Sequence, residues 1–581
     1  MQAEIRLKRT KEGTPKRLLL FCGRGQRDEA HIAGRGTGSY NKSIGAWSYP
    51  VDPSILRALL THFPGALVSK DAMDYMKELK DRQSILFQAL NDGSPLEKND
   101  RLRGSTQRAS VRFLEQGKRV ALTHEMGLGK TVIASYALRH LKCNKVLVVC
   151  PNAVIKESWV KHIKEWTGDI PLYQVEILTK KAAEEARKEF GVTVIRGSRK
   201  ERHASLAELL IHKERLVLLV NYEQMTIHQD ILSAHEWDCF ILDEAHRVKN
   251  RQAKRTRAAF EIAPKAYYVW PLTGTPWRRC PSDLWALLHL LDPDRFMGFW
   301  NFVYTYLLSY PAQYGIEIVG VRDKNEFAAM LSPYMFGRTK AEALPDLPDK
   351  IFIEHKLPMN EKQARAYRGM EEKLILDIKK ELEDGKTIDS ILKAPTAIAQ
   401  YTRLRQICLN PAILDGVDDS AKLDFLSDLF EDMGKEKFLV FTRFRKFIPY
   451  LTPILDNLEV PYSVVVGGQP HSEQVGIESK LNEGKIQAVV GTIAGPMGEG
   501  MNLQSASAAI FCDIEPVPAI NAQCEDRIHR PGIKTSPTII HLYHPGTVEE
   551  DIRKIAVKRG SLINATVGQV EAMRALIERR S

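Results

Sequence analysis

Gly127, Gly129, Lys130 and Thr131 close the octapeptide His124-Glu-Met-Gly-Leu-Gly-Lys-Thr131. That combination suits a polyphosphate. Glycines let the backbone turn tightly and aim its N–H groups inward. A helix that starts at the lysine adds orphan donors and a positive dipole end. Lys130 can reach the β- and γ-phosphates, and the Thr131 hydroxyl can ligate Mg2+. The predicted nucleotide contacts are therefore Met126, Gly127, Leu128, Gly129, Lys130 and Thr131. A bare Gly-Lys-Thr is equally compatible with a structural turn. The apolar-rich lead-in Arg119-Val-Ala-Leu-Thr and the helix-like run Val132 to Leu141 favour the phosphate reading. His124 stands where the usual motif begins with glycine.

A second constellation is Ile241-Leu-Asp-Glu-Ala-His-Arg. An acid at the carboxyl end of a parallel strand, beside a phosphate loop, is where a water-mediated Mg2+ ligand belongs. Asp243 takes that role, and Glu244 would polarise the attacking water. The plain alternative is an acidic helix N-terminus. Leu272-Thr-Gly-Thr-Pro-Trp277 offers a hydroxyl-rich turn that either relays between sites or simply joins a strand to a helix. Arg527 and Arg530, three apart, share a helix face. They suit a transition-state clamp supplied from a second lobe; a solvated basic helix end accounts for them as well. Arg247, Lys249, Arg251, Lys254, Arg255 and Arg257 form a basic run suited to phosphate backbones, or to a solvated helix face.

These groups need elements to position them. Strands are predicted at Val120–Leu122, Val146–Cys150, Leu216–Val220, Phe240–Leu242 and Tyr267–Leu272. Several are continuous apolar runs, as expected of parallel strands covered on both faces. From about 277 to 415 the strand signal fades into helices, with an aromatic stretch (Phe299 to Tyr310) that packs a bundle or stacks bases. Strands return at Phe438–Phe441, Tyr462–Val466, Ala488–Val490, Ala508–Cys512 and Thr538–His541. Residues 1 to 95 stand apart: a basic start, a strand at Leu18–Cys22, a Gly/Ser/Asn-rich loop over 24 to 46, and a helix begun by Asp52-Pro-Ser.

Length and composition bound the class. The 581 residues predict three to four domains, and 44% hydrophobic with 27% charged content is ordinary for a globular protein. A net charge of +11 hints at a polyanion partner. The eight cysteines form no CxxC pair, which argues against a zinc site, and most lie in apolar strings, which reads as buried free thiol. No apolar run reaches the length of a bilayer span, and no secretory signal is evident. A soluble, intracellular protein is expected, in a bacterial or viral-host cytoplasm, with a nuclear location left open.

Taken in order, the motifs resemble those of the SWI/SNF-type branch of superfamily-two helicase-like ATPases. Leu102-Arg-Gly-Ser-Thr-Gln107 resembles the family's adenine-reading segment, and His124 to Thr131 its motif I, with histidine for the usual aspartate. Val148-Val-Cys-Pro with Trp159 and Trp166 resembles motif Ia, Asn221-Tyr-Glu motif Ib, Asp243 to Asn250 motif II, and Leu272 to Trp277 motif III. Leu404-Arg-Gln-Ile-Cys is similar to the helix before lobe two, Leu439-Val-Phe-Thr442 to motif IV, Gly498-Glu-Gly-Met-Asn-Leu to motif V, Gln523 to Gly532 to motif VI, and Gly546-Thr-Val-Glu-Glu to the closing segment. Pro496-Met497 looks like an insertion within motif V, and Ile533 replaces a frequent glutamine.

The resemblance implies an α/β fold: two RecA-like parallel-sheet lobes, helical protrusions between them, and a small N-terminal accessory module. The expected domains are the accessory module at 1–95, a candidate DNA-binding element; lobe one at 96–276; protrusions and linker at 277–415; lobe two at 416–566; and a C-terminal helix at 567–581. It implies a DNA-dependent ATPase using ATP and Mg2+, with Gln107, Gly500 and Gln523 added to the nucleotide contacts, and Lys130, Asp243, Glu244, Arg527 and Arg530 as the catalytic set. Asn152, Thr442 and Thr492, with Arg247 and Lys249, would face duplex DNA. The expected activity is sequence-independent translocation on duplex DNA by a monomer. The alternatives are a fork- or junction-acting helicase or annealing helicase, and a non-catalytic DNA- or polymerase-binding adaptor.

Overall fold

The computed structural model describes residues 3–9, 15–35, 37–97, 100–151, 155–167, 170–176, 183–184, 187–188, 191–274, 280–311, 316–392, 394–469, 471–499 and 501–559. The chain divides into two compact units, Met1–Ala343 and Leu344–Ser581.

The first unit is built on an eight-stranded, wholly parallel sheet. Its order is Met335–Phe336, Ala121–Leu122, Ala266–Leu272, Trp237–Asp243, Lys145–Val149, Leu216–Val220, Leu172–Val175 and Val192–Ile195. Helices cover both faces. The residues that alternate along each strand therefore go to two separate apolar clusters: Leu147, Val149, Leu218 and Phe240 to one, Val146, Val148, Leu219 and Ile241 to the other. Each fully buried Val or Leu contributes about 1.5–3 kcal/mol relative to exposure, which is why runs such as Leu216–Val220 lie inside along their whole length. The carboxyl ends of the strands hold the predicted motifs, the edge where open α/β sheets bind ligands.

The same unit carries the N-terminal module, a five-stranded mixed sheet of order Ser39–Asn41, Ala46–Tyr49, Pro15–Phe21, Glu4–Arg9 and Leu67–Val68. Asp52 caps the Pro53–His62 helix as read from the sequence, accepting the Ser54 N–H at 2.8 Å. The predicted loop over 24 to 46 is instead structured over much of its length, with a helix at Arg27–Ala33 and a hairpin of the Ser39–Asn41 and Ala46–Tyr49 strands. Buried Ala30, Ala33 and Tyr49 supply the apolar anchors that its glycine-rich composition conceals.

Residues 277 to 415 are not purely helical. A hairpin pairs Leu307–Pro311 with Ile316–Val321, Met335–Phe336 joins the first sheet, and Ile351–Lys356 joins the second. The aromatic stretch is split: Phe302 and Tyr306 are core, whereas Trp300 is 42% exposed. The second unit holds a six-stranded parallel sheet of order Ile351–Lys356, Thr538–Tyr543, Ala508–Phe511, Phe438–Thr442, Ala488–Thr492 and Tyr462–Val465. The predicted C-terminal helix at 567–581 lies outside the described residues.

Candidate active site

The phosphate loop leaves the Ala121–Leu122 strand and enters the Lys130–His140 helix. Gly127 (φ +85°) and Gly129 (φ +79°) adopt left-handed conformations that side chains resist. A Cβ at Gly129 would also lie 2.6 Å from the amide nitrogen of Gln107. Gln107 holds the loop from beneath: its Nε2 donates to Leu128 O at 3.2 Å, and its Oε1 accepts the Arg103 N–H at 2.7 Å. Lys130 Nζ donates to the carbonyls of His124 (2.9 Å) and Glu125 (3.3 Å). An anionic phosphate is a stronger acceptor than either carbonyl. Thr131 follows in the first helical turn, partly exposed.

Asp243 ends the Trp237–Asp243 strand. Its Oδ1 accepts the Glu244 N–H at 2.9 Å, its Oδ2 accepts Trp159 Nε1–H at 2.8 Å, and its carbonyl accepts the Tyr222 hydroxyl at 2.6 Å. Burial, then the charge of Glu244, pushes this carboxyl up to about 6. A desolvated carboxylate with a raised pKa gains from a nearby cation. Together with the Thr131 hydroxyl it is a hard-oxygen donor set that fits Mg2+.

Glu244 sits at φ +53°, ψ +48°, a left-handed conformation that costs a non-glycine residue about 1–2 kcal/mol. That turn brings its carboxylate to 3.1 Å from His246 Nδ1. The same ring nitrogen lies 3.4 Å from Thr273 Oγ1. Gly274 packs on the phosphate loop, where an added Cβ would lie 3.1 Å from Met126 Cγ. The hydroxyl-rich turn thus touches both the loop and the acidic motif. Thr275 to Trp277 lie outside the described residues.

Several contributors carry little sequence signal. Trp159 and Tyr222 stand in motif-like segments, but nothing in those segments marks them as partners of Asp243. Residues 334 to 340 have no recognisable pattern, yet they brace the loop from its outer side. Tyr334 O accepts Ala121 N–H (2.7 Å), Phe336 O accepts Thr123 N–H (2.7 Å), and Arg338 O accepts Glu125 N–H (3.0 Å). Phe336 meets the His124 ring edge-on at 4.8 Å.

In the second unit, Arg527 is buried and donates to Gly498 O (2.8 and 3.2 Å) and Met501 O (3.4 Å). Arg530 donates to Met501 O (3.0 Å) and Asp526 O (3.3 Å). Burial and then the neighbouring Arg527 pull Arg530 down to about 10, despite Glu478 and Asp526. Gln523 is buried on the Pro518–Glu525 helix. Gly500 lies outside the described residues.

The predicted DNA-facing residues differ in availability. Asn152 lies outside the described residues. Thr442 and Thr492 are register partners on adjacent strands. Thr442 is fully buried, its hydroxyl accepting the Phe444 N–H at 3.2 Å, and Thr492 is partly exposed. Lys249 faces Asp283 at 3.7 Å and Arg251 covers the Phe299 ring at 4.3 Å. Arg247 is partly exposed, while Lys254, Arg255 and Arg257 are open to solvent.

Comparison with known proteins bears on this geometry. The SNF2-related domain family matches residues 75–413, and the helicase conserved C-terminal domain matches residues 421–532. The chain is 26% identical over 460 residues to the SWI/SNF-related matrix-associated actin-dependent regulator of chromatin subfamily A-like protein 1 of Drosophila melanogaster, covering 78% of this chain and 54% of that one. It is 24% identical over 472 residues to the ISWI chromatin-remodeling complex ATPase ISW1 of Saccharomyces cerevisiae, covering 77% and 38%. Among solved structures, it is similar to the Sulfolobus solfataricus SWI2/SNF2 ATPase core in complex with dsDNA at 23% identity and TM-score 0.34, covering 84% and 98%. The chain spans about half the length of the curated relatives it matches.

Proposed function

Because the chain belongs to the SNF2-related family of superfamily-two helicase-like ATPases, we propose that it is an ATP-driven translocase on duplex DNA. What carries the reading is the constellation of Lys130, Asp243 and Glu244 at the carboxyl ends of one parallel sheet, with Arg527, buried, and Arg530, partly exposed, in the other unit. ATP would lie on the Met126–Thr131 loop, with Gln107 toward the base. Lys130 would leave the His124 and Glu125 carbonyls for the β- and γ-phosphates. Thr131 and Asp243 would hold Mg2+, which when bound offsets charge on the phosphate oxygens. Glu244, aimed by its left-handed turn and by His246, would orient the water for in-line attack. Arg530, with Arg527 behind it, would meet the γ-phosphate and stabilise the charge of the transition state. The contact of Thr273 with His246 would let the neighbouring turn sense the state of that water.

Surface charge supports a nucleic-acid track. The basic residues Arg247, Lys254, Arg255 and Arg257 follow the acidic motif and reach solvent, which suits contact with a phosphate backbone. The chromatin-directed names of the Drosophila and yeast relatives support duplex rather than single-stranded DNA as the track. Displacement of a third strand from a triplex reports translocation without strand separation. The protein should displace it with ATP and fail with a non-hydrolysable analogue. Displacement of a duplex strand without triplex displacement would favour a strand-separating helicase instead.

A further inference from the structure

The N-terminal module reaches the nucleotide site through buried polar groups. Asp52 divides its carboxylate between two tasks. Oδ1 caps its own helix, accepting from Ser54 N–H (2.8 Å) and the Ser54 hydroxyl (2.6 Å). Oδ2 turns outward from the module, accepting from the Tyr306 hydroxyl and from Arg295 Nε and Nη2 (both 3.3 Å). The side chains of Asp52 and Arg295 are 6% and 5% exposed, so water competes little for this pair. Arg295 Nη1 then donates to the Tyr334 hydroxyl (3.3 Å), which itself donates to Asp292 Oδ2 (2.6 Å).

Tyr334 is where the chain of contacts becomes backbone. Its carbonyl accepts the Ala121 N–H at 2.7 Å, and the strand that follows it, Met335–Phe336, pairs in parallel with Ala121–Leu122. From there the ladder continues along the phosphate loop, through Phe336 O to Thr123 and Arg338 O to Glu125, whose Oε2 accepts the Lys340 N–H at 2.5 Å. The loop carbonyls that hold Lys130, those of His124 and Glu125, lie within this braced stretch.

We infer that Asp52 is a positioning residue for the nucleotide site: acting through Arg295 and Tyr334, it fixes the edge strand that sets the phosphate loop, so the N-terminal module tunes the affinity for ATP. This rests on the ATPase reading above. A segment with one arrangement when tied and another when released can couple two sites by a free energy that reads as a fold-change in affinity.

The test uses the full chain and steady-state ATP hydrolysis at saturating duplex DNA. Asp52→Asn keeps the acceptor for Ser54, and with it the helix cap, but removes the charge opposite Arg295. Tyr334→Phe keeps the ring and removes the hydroxyl link. Each should raise the KM for ATP by about five-fold or more, with kcat held within about two-fold. The double variant should raise KM no further than the larger single effect, because both cut one path. Arg35→Ala is the control. It cuts a different tie between the module and the same segment, from Arg35 to Thr305 O (2.9 Å) and Glu326 (3.0 Å), that does not pass through Tyr334. It should leave KM unchanged. Multiplying effects in the double variant, an unmoved KM in either single, or an equal rise in Arg35→Ala would each overturn the inference while wild-type hydrolysis stands. If the wild type hydrolyses nothing, a fluorescent ADP analogue reads the same shifts as binding constants. A wild type that also fails to bind it removes the functional reading and this inference together.

Discussion

At the scale of single residues, His124 changes meaning once its neighbours are known. The Ser110 hydroxyl donates its one proton to Thr106 O at 2.6 Å, so it can only accept from His124 Nε2 at 2.7 Å. The ring is therefore the Nε2–H tautomer, buried, with Phe336 against its face. It pins the start of the phosphate loop to the helix that carries Gln107. Burial, then Lys130 and Arg338, pulls its pKa from 6.5 to about 3. A histidine held neutral in the folded state binds fewer protons there than when unfolded. Its contribution is thus fully present above pH 6.5 and is lost as pH falls toward 3. Between pH 7 and pH 5 that loss is about 2 kcal/mol. Thermal melts should show a shallower fall over this range for His124→Gln, whose amide can still donate toward Ser110. Parallel falls in wild type and variant would count against the assignment. The sequence shows that a histidine replaces the family's usual aspartate at this position. It does not show Ser110 and Phe336 closing on the ring, because those contacts span distant segments.

At the scale of elements, strands within continuous apolar runs are legible, down to the two residues of Ala121–Leu122, and strands defined only by their neighbours are not. Leu216–Val220 and Ala266–Leu272 emerge from unbroken apolar runs, since strands covered on both faces have no polar alternation to obscure them. Met335–Phe336 has two residues, too few for any periodicity, and is a strand only because Ala121–Leu122 lies beside it. Ile351–Lys356 is an edge strand with most of its residues exposed, so no buried face marks it. The extra residues in the fifth motif become one helical turn, Pro496–Glu499, with Met497 fully buried beneath Gly491. That turn presents Gly498 O to Arg527. A Cβ at Gly498 would lie 2.2 Å from Ile493 O and 3.1 Å from Cys524 Sγ. Gly498→Ala should therefore destabilise the second unit by about 1–3 kcal/mol and lower hydrolysis by displacing Arg527. Denaturant unfolding and ATPase assays check both. A variant that matches wild type in both would show that the turn yields freely.

At the scale of the whole molecule, the division of labour follows the two units. The first holds the proposed phosphate loop, the acidic pair and the N-terminal module; the second holds Arg527 and Arg530. A Lys130 resting on its own loop's carbonyls fits an engine that runs only when its parts are completed by ligand. The net charge of +11 and the solvent-facing cations after the acidic motif fit a polyanion as the trigger. In the proposed function, Glu244 drives hydrolysis that duplex DNA switches on. The most direct measurement is the steady-state ATPase rate of wild type and Glu244→Gln, each with and without duplex DNA, alongside nucleotide binding. Wild type should be strongly stimulated by DNA, and Glu244→Gln should bind ATP yet lose at least about a hundred-fold in rate. A Glu244→Gln variant that kept DNA-stimulated turnover, or a wild type indifferent to DNA, would overturn that function.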